Sequence, residues 1–119
     1  MAENFEVYLT LNNGASWSLI QNTIAGTHPC GDFTSLNIVF CFYCSENGAQ
    51  IDLVMETTFN LGASWTSPVT IIADINEGGL GFSEEHGVIS VSYFKNDIPY
   101  IIHSYNAGAS FTDPIEVAL

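Results

Sequence analysis

The sequence predicts an all-β chain built from repeated four-stranded antiparallel sheets, and three observations predict it. An eight-residue stretch occurs three times, as Thr10-Leu11-Asn12-Asn13-Gly14-Ala15-Ser16-Trp17, Thr58-Phe59-Asn60-Leu61-Gly62-Ala63-Ser64-Trp65 and Ser104-Tyr105-Asn106-Ala107-Gly108-Ala109-Ser110-Phe111, with 48 and 46 residues between the asparagines. Such a period marks a repeat architecture, in which each copy buries its apolar face on the next. The flanking runs either alternate apolar and polar residues or are almost wholly apolar, the patterns of half-buried and doubly covered strands. Within each copy, an Asn followed two residues later by a Gly is turn chemistry: Asn tolerates positive φ, and Gly takes it without steric cost. The Ser that follows is placed to bond local backbone, and the aromatic to pack under the sheet.

Taken in order, residues 5–11 alternate Phe5, Val7, Leu9 and Leu11 against Glu6, Tyr8 and Thr10, a strand entering the first copy. Residues 19–24 make its partner. Gly26-Thr27-His28-Pro29-Cys30-Gly31-Asp32 is dense in turn residues and reads as a loop, with a short inner strand within residues 32–36. Residues 36–44 are nearly unbroken apolar, as a strand covered on both faces requires, and Glu46-Asn47-Gly48 reads as its turn. Residues 50–59 lead into the second copy and residues 68–73 leave it. The cycle then repeats: a loop at 76–81, an inner strand within 81–85, a buried strand at 88–94, a turn at Asn96-Asp97, a strand at 98–105, the third copy, and a last strand at 114–119. Pro68 and Pro114 fall in register on edge strands, where a missing N–H costs little.

The pattern Ser/Thr-x-Asp/Asn-x-Gly-x-Ser/Thr-Trp/Phe, met by Thr10, Asn12, Gly14, Ser16 and Trp17, by Thr58, Asn60, Gly62, Ser64 and Trp65, and by Ser104, Asn106, Gly108, Ser110 and Phe111, resembles the Asp-box (BNR) repeat of β-propellers of the sialidase and sortilin kinds. The resemblance implies a structural box on the turn between the third and fourth strands of each blade. The chain departs from it in using Asn at all three copies and Phe111 once in place of Trp. On this reading residues 1–25 are a half blade, 26–74 one blade and 75–119 another. A propeller closes with about 4 to 8 blades, so about two and a half imply completion by self-association into a homo-oligomer, as in some small two-blade lectins.

Of 119 residues, one is basic (Lys95) and 13 are acidic, for a net charge of −12. That balance argues against nucleic acid, anionic membrane or phosphorylated partners, all of which need cationic neutralisation. It leaves cations, neutral sugars and basic protein surfaces open, and it also serves to keep an exposed β protein soluble. No export signal and no apolar run long enough to span a bilayer is visible, and three cysteines (Cys30, Cys41, Cys44) are an odd number. The expectation is reduced thiols in the cytoplasm or in a particle assembled there.

Three groups carry possible chemistry. Cys41 and Cys44 have the spacing of a metal-binding pair, but i and i+3 on a strand point to opposite faces, so buried structural cysteines are expected. His28, Cys30 and Asp32 gather in one stretch, and Glu84, Glu85 and His86 are expected at the equivalent place in the next blade. With Phe33, Phe82, Tyr43 or Tyr93 as stacking rings, these acids and imidazoles suit a sugar better than a metal or an acid-base pair. The resemblance also raises a sialidase-type glycosidase. That chemistry relies in the family on an arginine triad and an activated tyrosine, and a chain without arginine cannot clamp a carboxylate in that way. The expectation is therefore a non-catalytic, lectin-like module with repeated sites at blade junctions, binding through His28, Asp32, Phe33, Phe82, Glu84, Glu85 and His86, with no metal and no cofactor. The alternative is a structural or assembly protein, such as a virion or surface decoration subunit, that uses the propeller as a platform. A minimal glycosidase using Asp32 or Glu84 is the least favoured.

Overall fold

A computed structural model describes residues 4–33 and 38–117, with the backbone alone described at 22–25, 32 and 33. The described residues hold ten strands and no helix. Asn4–Leu9 (β1) and Ser18–Ala25 (β2) form an antiparallel hairpin. Thr27–Phe33 (β3), Val39–Asn47 (β4), Gln50–Thr58 (β5) and Val69–Ile72 (β6) form a four-stranded antiparallel sheet in sequence order. Gly81–Glu85 (β7), Val88–Lys95 (β8), Ile98–Ser104 (β9) and Ile115–Glu116 (β10) form a second such sheet, again in sequence order. The all-β, four-stranded antiparallel architecture expected from the repeats is therefore present.

The three units stack. Phe40, Phe42, Cys44, Leu53 and Met55 of the middle sheet share one core with Ile75, Ile89, Val91, Tyr93 and Ile102, while Cys41, Tyr43 and Val54 on the other face pack with Phe5, Val7 and Trp65. β4 is thus covered on both sides, which is why residues 39–44 lack alternation. Fully burying an aliphatic or Phe side chain stabilises by roughly 1.5–3 kcal/mol, and Phe42, Leu53, Val91 and Ile102 are each 0% exposed. Cys41 and Cys44 lie in different clusters, on the opposite faces expected of i and i+3.

Two local readings are corrected. Residues 27–33 are a strand rather than a loop. Their turn-type residues serve a bulge: the pairing with β4 shifts between Thr27 and Cys30, where His28 takes φ 54 and Pro29 has no N–H to donate. Gly31 then passes so close to β4 that a Cβ on it would collide with the Phe40 carbonyl oxygen. The expected inner strand within 32–36 falls partly on residues 34–37, outside the described residues. The β4–β5 turn is the pair Gly48-Ala49, since Asn47 still pairs with Gln50. Glu85 pairs with Val88 across His86-Gly87, whose φ values of 53 and 84 suit a tight hairpin turn.

Candidate functional site

The repeated box is the best-defined local structure. In the second copy, Thr58 Oγ1 accepts from Gly62 N at 2.8 Å and donates to Asn60 Oδ1 at 2.9 Å. Asn60 Oδ1 also accepts from Ser64 N at 2.9 Å, and Asn60 Nδ2 donates to Ser64 Oγ at 2.9 Å. Thr10, Asn12, Gly14 and Ser16 make the same four bonds, as do Ser104, Asn106, Gly108 and Ser110. The left-handed backbone falls on the residue after each Asn (Asn13, Leu61, Ala107; φ 58, 57 and 60) and on the glycine, rather than on the Asn itself. The Asn side chain braces the turn as both acceptor and donor, and its own backbone needs no strained conformation.

The two groups of expected binding residues occupy equivalent places only in part. Asp32 and Phe33 pair with Phe40 and Val39 at the end of β3, as Glu84 and Glu85 pair with Ile89 and Val88 at the end of β7. His28 lies toward the other end of β3, at the bulge, where its ring packs against the backbone at Gly78. The side chains of Asp32 and Phe33 lie outside the described residues. Glu84 Oε1 accepts from Gly87 N at 3.2 Å, which braces the turn, and the exposed Glu85 and His86 pair with each other at 3.6 Å. Phe82 lies against Phe42 with ring centroids 5.2 Å apart, and Tyr43 and Tyr93 are 3% and 2% exposed, so these rings are engaged in packing. Among the described residues, no three His, Cys, Asp or Glu side chains converge as a metal site requires.

What the structure does bring together is an open groove of about 560 Å³ between the hairpin and the middle sheet. Its lining includes residues 5–9 of β1, Trp17, Pro29, Cys30 and Phe40. β5 and β9, the equivalents of β1, are paired on both edges, whereas β1 pairs with β2 alone among the described residues. The groove runs along β1, whose second peptide edge is unpaired among the described residues. Tyr8, 52% exposed, donates its hydroxyl to Glu6 Oε1 at 3.5 Å at this edge. Neither residue stood out in the sequence, because an alternating strand looks the same whether or not its edge is paired.

Two buried polar links hold the surroundings. Tyr43 Oη donates to Glu56 Oε2 at 2.5 Å, and Gln21 Nε2 reaches Glu56 Oε1 at 3.5 Å from the hairpin. Burial first, then the Glu56 carboxylate, push the Tyr43 hydroxyl far above its usual range. Asp52, 4% exposed, accepts from Asn47 Nδ2 at 3.1 Å, Gln50 Nε2 at 2.9 Å and Asp74 N at 3.0 Å. Burial opposes its ionisation, but together these bonds hold the carboxyl below its ordinary value. Burial also pushes Cys30 up to about 11 and Cys41 up to about 12, the latter with help from Glu56. Thiols so protonated are poor nucleophiles at neutral pH.

No protein-family model matches this chain, and a search of curated proteins finds no relative.

Proposed function

We propose that the chain is a non-catalytic, glycan-binding module made of propeller-type blades, with its sites at the junctions between units and its ring completed by self-association. The observation that carries this reading is the open groove of about 560 Å³ at the junction of the hairpin and the middle sheet. Open clefts with an apolar floor and few polar groups suit small neutral ligands. Here the floor is Cys30, Phe40 and Cys41, the exposed Tyr8 ring offers a stacking face, and Glu6 and the β1 peptide edge offer hydrogen-bond partners to hydroxyls. Such a site is shallow, and repetition in an oligomer would supply the avidity that one copy lacks. The absence of arginine and the net charge of −12 favour an uncharged or amino sugar over an acidic one.

An array of neutral and amino sugars tests the reading. Binding is expected for the wild-type chain and at least a tenfold loss for Tyr8→Ala or Glu6→Gln with the β-sheet spectrum unchanged. A silent array from a folded protein would sink it. One observation favours the alternative of a structural or assembly protein: apolar side chains lie open on both end units, with Trp17 60% and Ile115 53% exposed. An assembly protein should show a large specific protein interface and no small ligand.

A further inference from the structure

The second and third boxes each dock on the unit before them. A Cβ on Gly62 would lie 2.5 Å from Ile20 Cβ, and Trp65 donates its indole N–H to the Ile20 carbonyl at 2.8 Å. A Cβ on Gly108 would lie 3.2 Å from Met55 Cε and 3.4 Å from Phe40 Cε1, and Phe111 meets Phe42 edge-on with centroids 6.2 Å apart. The first box has the same internal bonds and, among the described residues, nothing to dock on. Near Gly14 there is only Trp17 of its own turn, and Trp17 is 60% exposed where Trp65 is packed.

The opposite end of the chain presents the matching surface. Three residues before the boxes stand Val7, Met55 and Ile101. Val7 packs, like Trp65, against the Cys41, Tyr43 and Val54 cluster of the next unit and Met55 lies against Gly108, whereas Ile101 alternates with the core residue Ile102 and so faces outward from the last sheet. Ile101 pairs with Ser92 as Met55 pairs with Phe42, and His103 pairs with Ser90 as Thr57 pairs with Phe40. The outer face of the last sheet therefore has two serines where the middle sheet has two phenylalanines. Bulk removed from the receiving face is added to the incoming ring, since the box left over carries Trp17 where the third carries Phe111.

We propose that the first box of one copy docks on the outer face of the β7–β10 sheet of a second copy, with Trp17 seated over Ser92 and Ile101 and Gly14 approaching Ser90. The two faces, uncovered among the described residues, continue the interface that the chain already makes twice within itself, and this continuity argues for a second copy of the same chain as the occupant. The contact is head-to-tail, so each copy gives one face and receives on the other, and successive copies form a ring or a filament according to whether the rotation closes. This rests on the self-association in the reading above and deepens it; Trp17 also lines the groove, so the test reads mass and not sugar binding.

Two variants test it by native mass over a hundredfold dilution series. Trp17→Asp removes the incoming ring and leaves the receiving face; Ser92→Arg fills the receiving face and leaves the ring. The wild-type chain is expected to associate, each variant alone to run as a monomer, and the equimolar mixture to form a heterodimer and nothing larger, because one competent pair of faces remains. Should Trp17→Asp lose its β-sheet spectrum, Trp17→Ser takes its place. A wild-type monomer at every concentration, a variant that associates like the wild-type chain, or a mixture of folded variants that stays monomeric would each overturn the proposal. The mass reports nothing of sugar binding, so failure of the glycan array leaves this result standing.

Discussion

Trp65 reaches back across 45 residues to donate its indole N–H to the carbonyl oxygen of Ile20 at 2.8 Å, tying the box of the middle sheet to the hairpin before it. The bond spans two units, so its loss weakens the stack rather than one sheet. Trp65→Phe keeps most of the packing against Cys41, Tyr43 and Val54 but leaves the carbonyl without this donor. A net hydrogen bond contributes about 1 kcal/mol, and that is the expected loss. Trp65→Ala also opens a cavity, and about 3 kcal/mol is expected from large-to-small core changes. Urea unfolding of both variants checks the order.

The Asn of each box accepts two hydrogen bonds on Oδ1 and donates one from Nδ2. An aspartate in its place would keep both acceptors, and the Ser64 hydroxyl can rotate to donate to the carboxylate. Asn60→Asp is therefore expected to change stability by less than about 0.5 kcal/mol, and Asn60→Ala, which gives up the bonds to Thr58 and Ser64 at an exposed turn, to cost about 1 kcal/mol. Chemical denaturation of the two variants checks this, and equal losses would show that the brace does not work through its acceptors.

Asp52 ties the β4–β5 turn to the backbone at Asp74, and its carboxyl is held below the ordinary range. A carboxylate depressed in the folded chain stabilises it fully above the unfolded pKa of about 4, and that contribution is lost as pH falls through the lower folded value. Asp52→Asn is expected to melt earlier than the wild-type chain at pH 7, by a gap that stays constant down to about pH 5 and closes as the pH falls below about 4. Melting curves between pH 3 and pH 7 check the sign; a gap that widens in acid would contradict it.

Burial raises Cys30 to about 11 and Cys41 to about 12, and Cys44 also lies above its usual range. The native chain is expected to react slowly with a thiol reagent at pH 7.5, at least tenfold slower than a small free thiol, with Cys30 ahead of the more buried Cys41 and Cys44. In denaturant all three thiols are expected to react. Fast native labelling of Cys41 would show that the hairpin opens away from the middle sheet.

Much of the fold was legible because its signals are local. β7 occupies residues 81–85 as expected, and Asn96 and Asp97 take the positive φ values of a tight turn. Residues 39–44 showed their double coverage through lost alternation. The β3 segment was misread because Pro29 and Gly31 spell a turn locally, whereas here they admit a bulge and a close backbone approach, which only the pairing with β4 reveals. The groove was invisible for a related reason: its lining comes from β1, Trp17 and the start of β4, stretches far apart in sequence whose residues give no sign of which of them share a cleft. Phe82 and Tyr43 were read as free rings because an aromatic on a short strand gives no sign of which face its neighbours cover. His28 and Asp32 were grouped by sequence distance, and the strand places them toward its opposite ends.

Trp17 and Trp65 occupy equivalent positions in their boxes with different surroundings, one open and one docked. Acrylamide quenching separates them, using Trp65→Phe to report on Trp17 and Trp17→Phe to report on Trp65. In dilute solution Trp17 should be strongly quenched and Trp65 protected; as concentration rises Trp17 should become protected too, while Trp65 stays unchanged. Equal quenching of the two rings, or a Trp17 whose exposure ignores concentration, would contradict the claim that the first box docks on the last sheet of another copy.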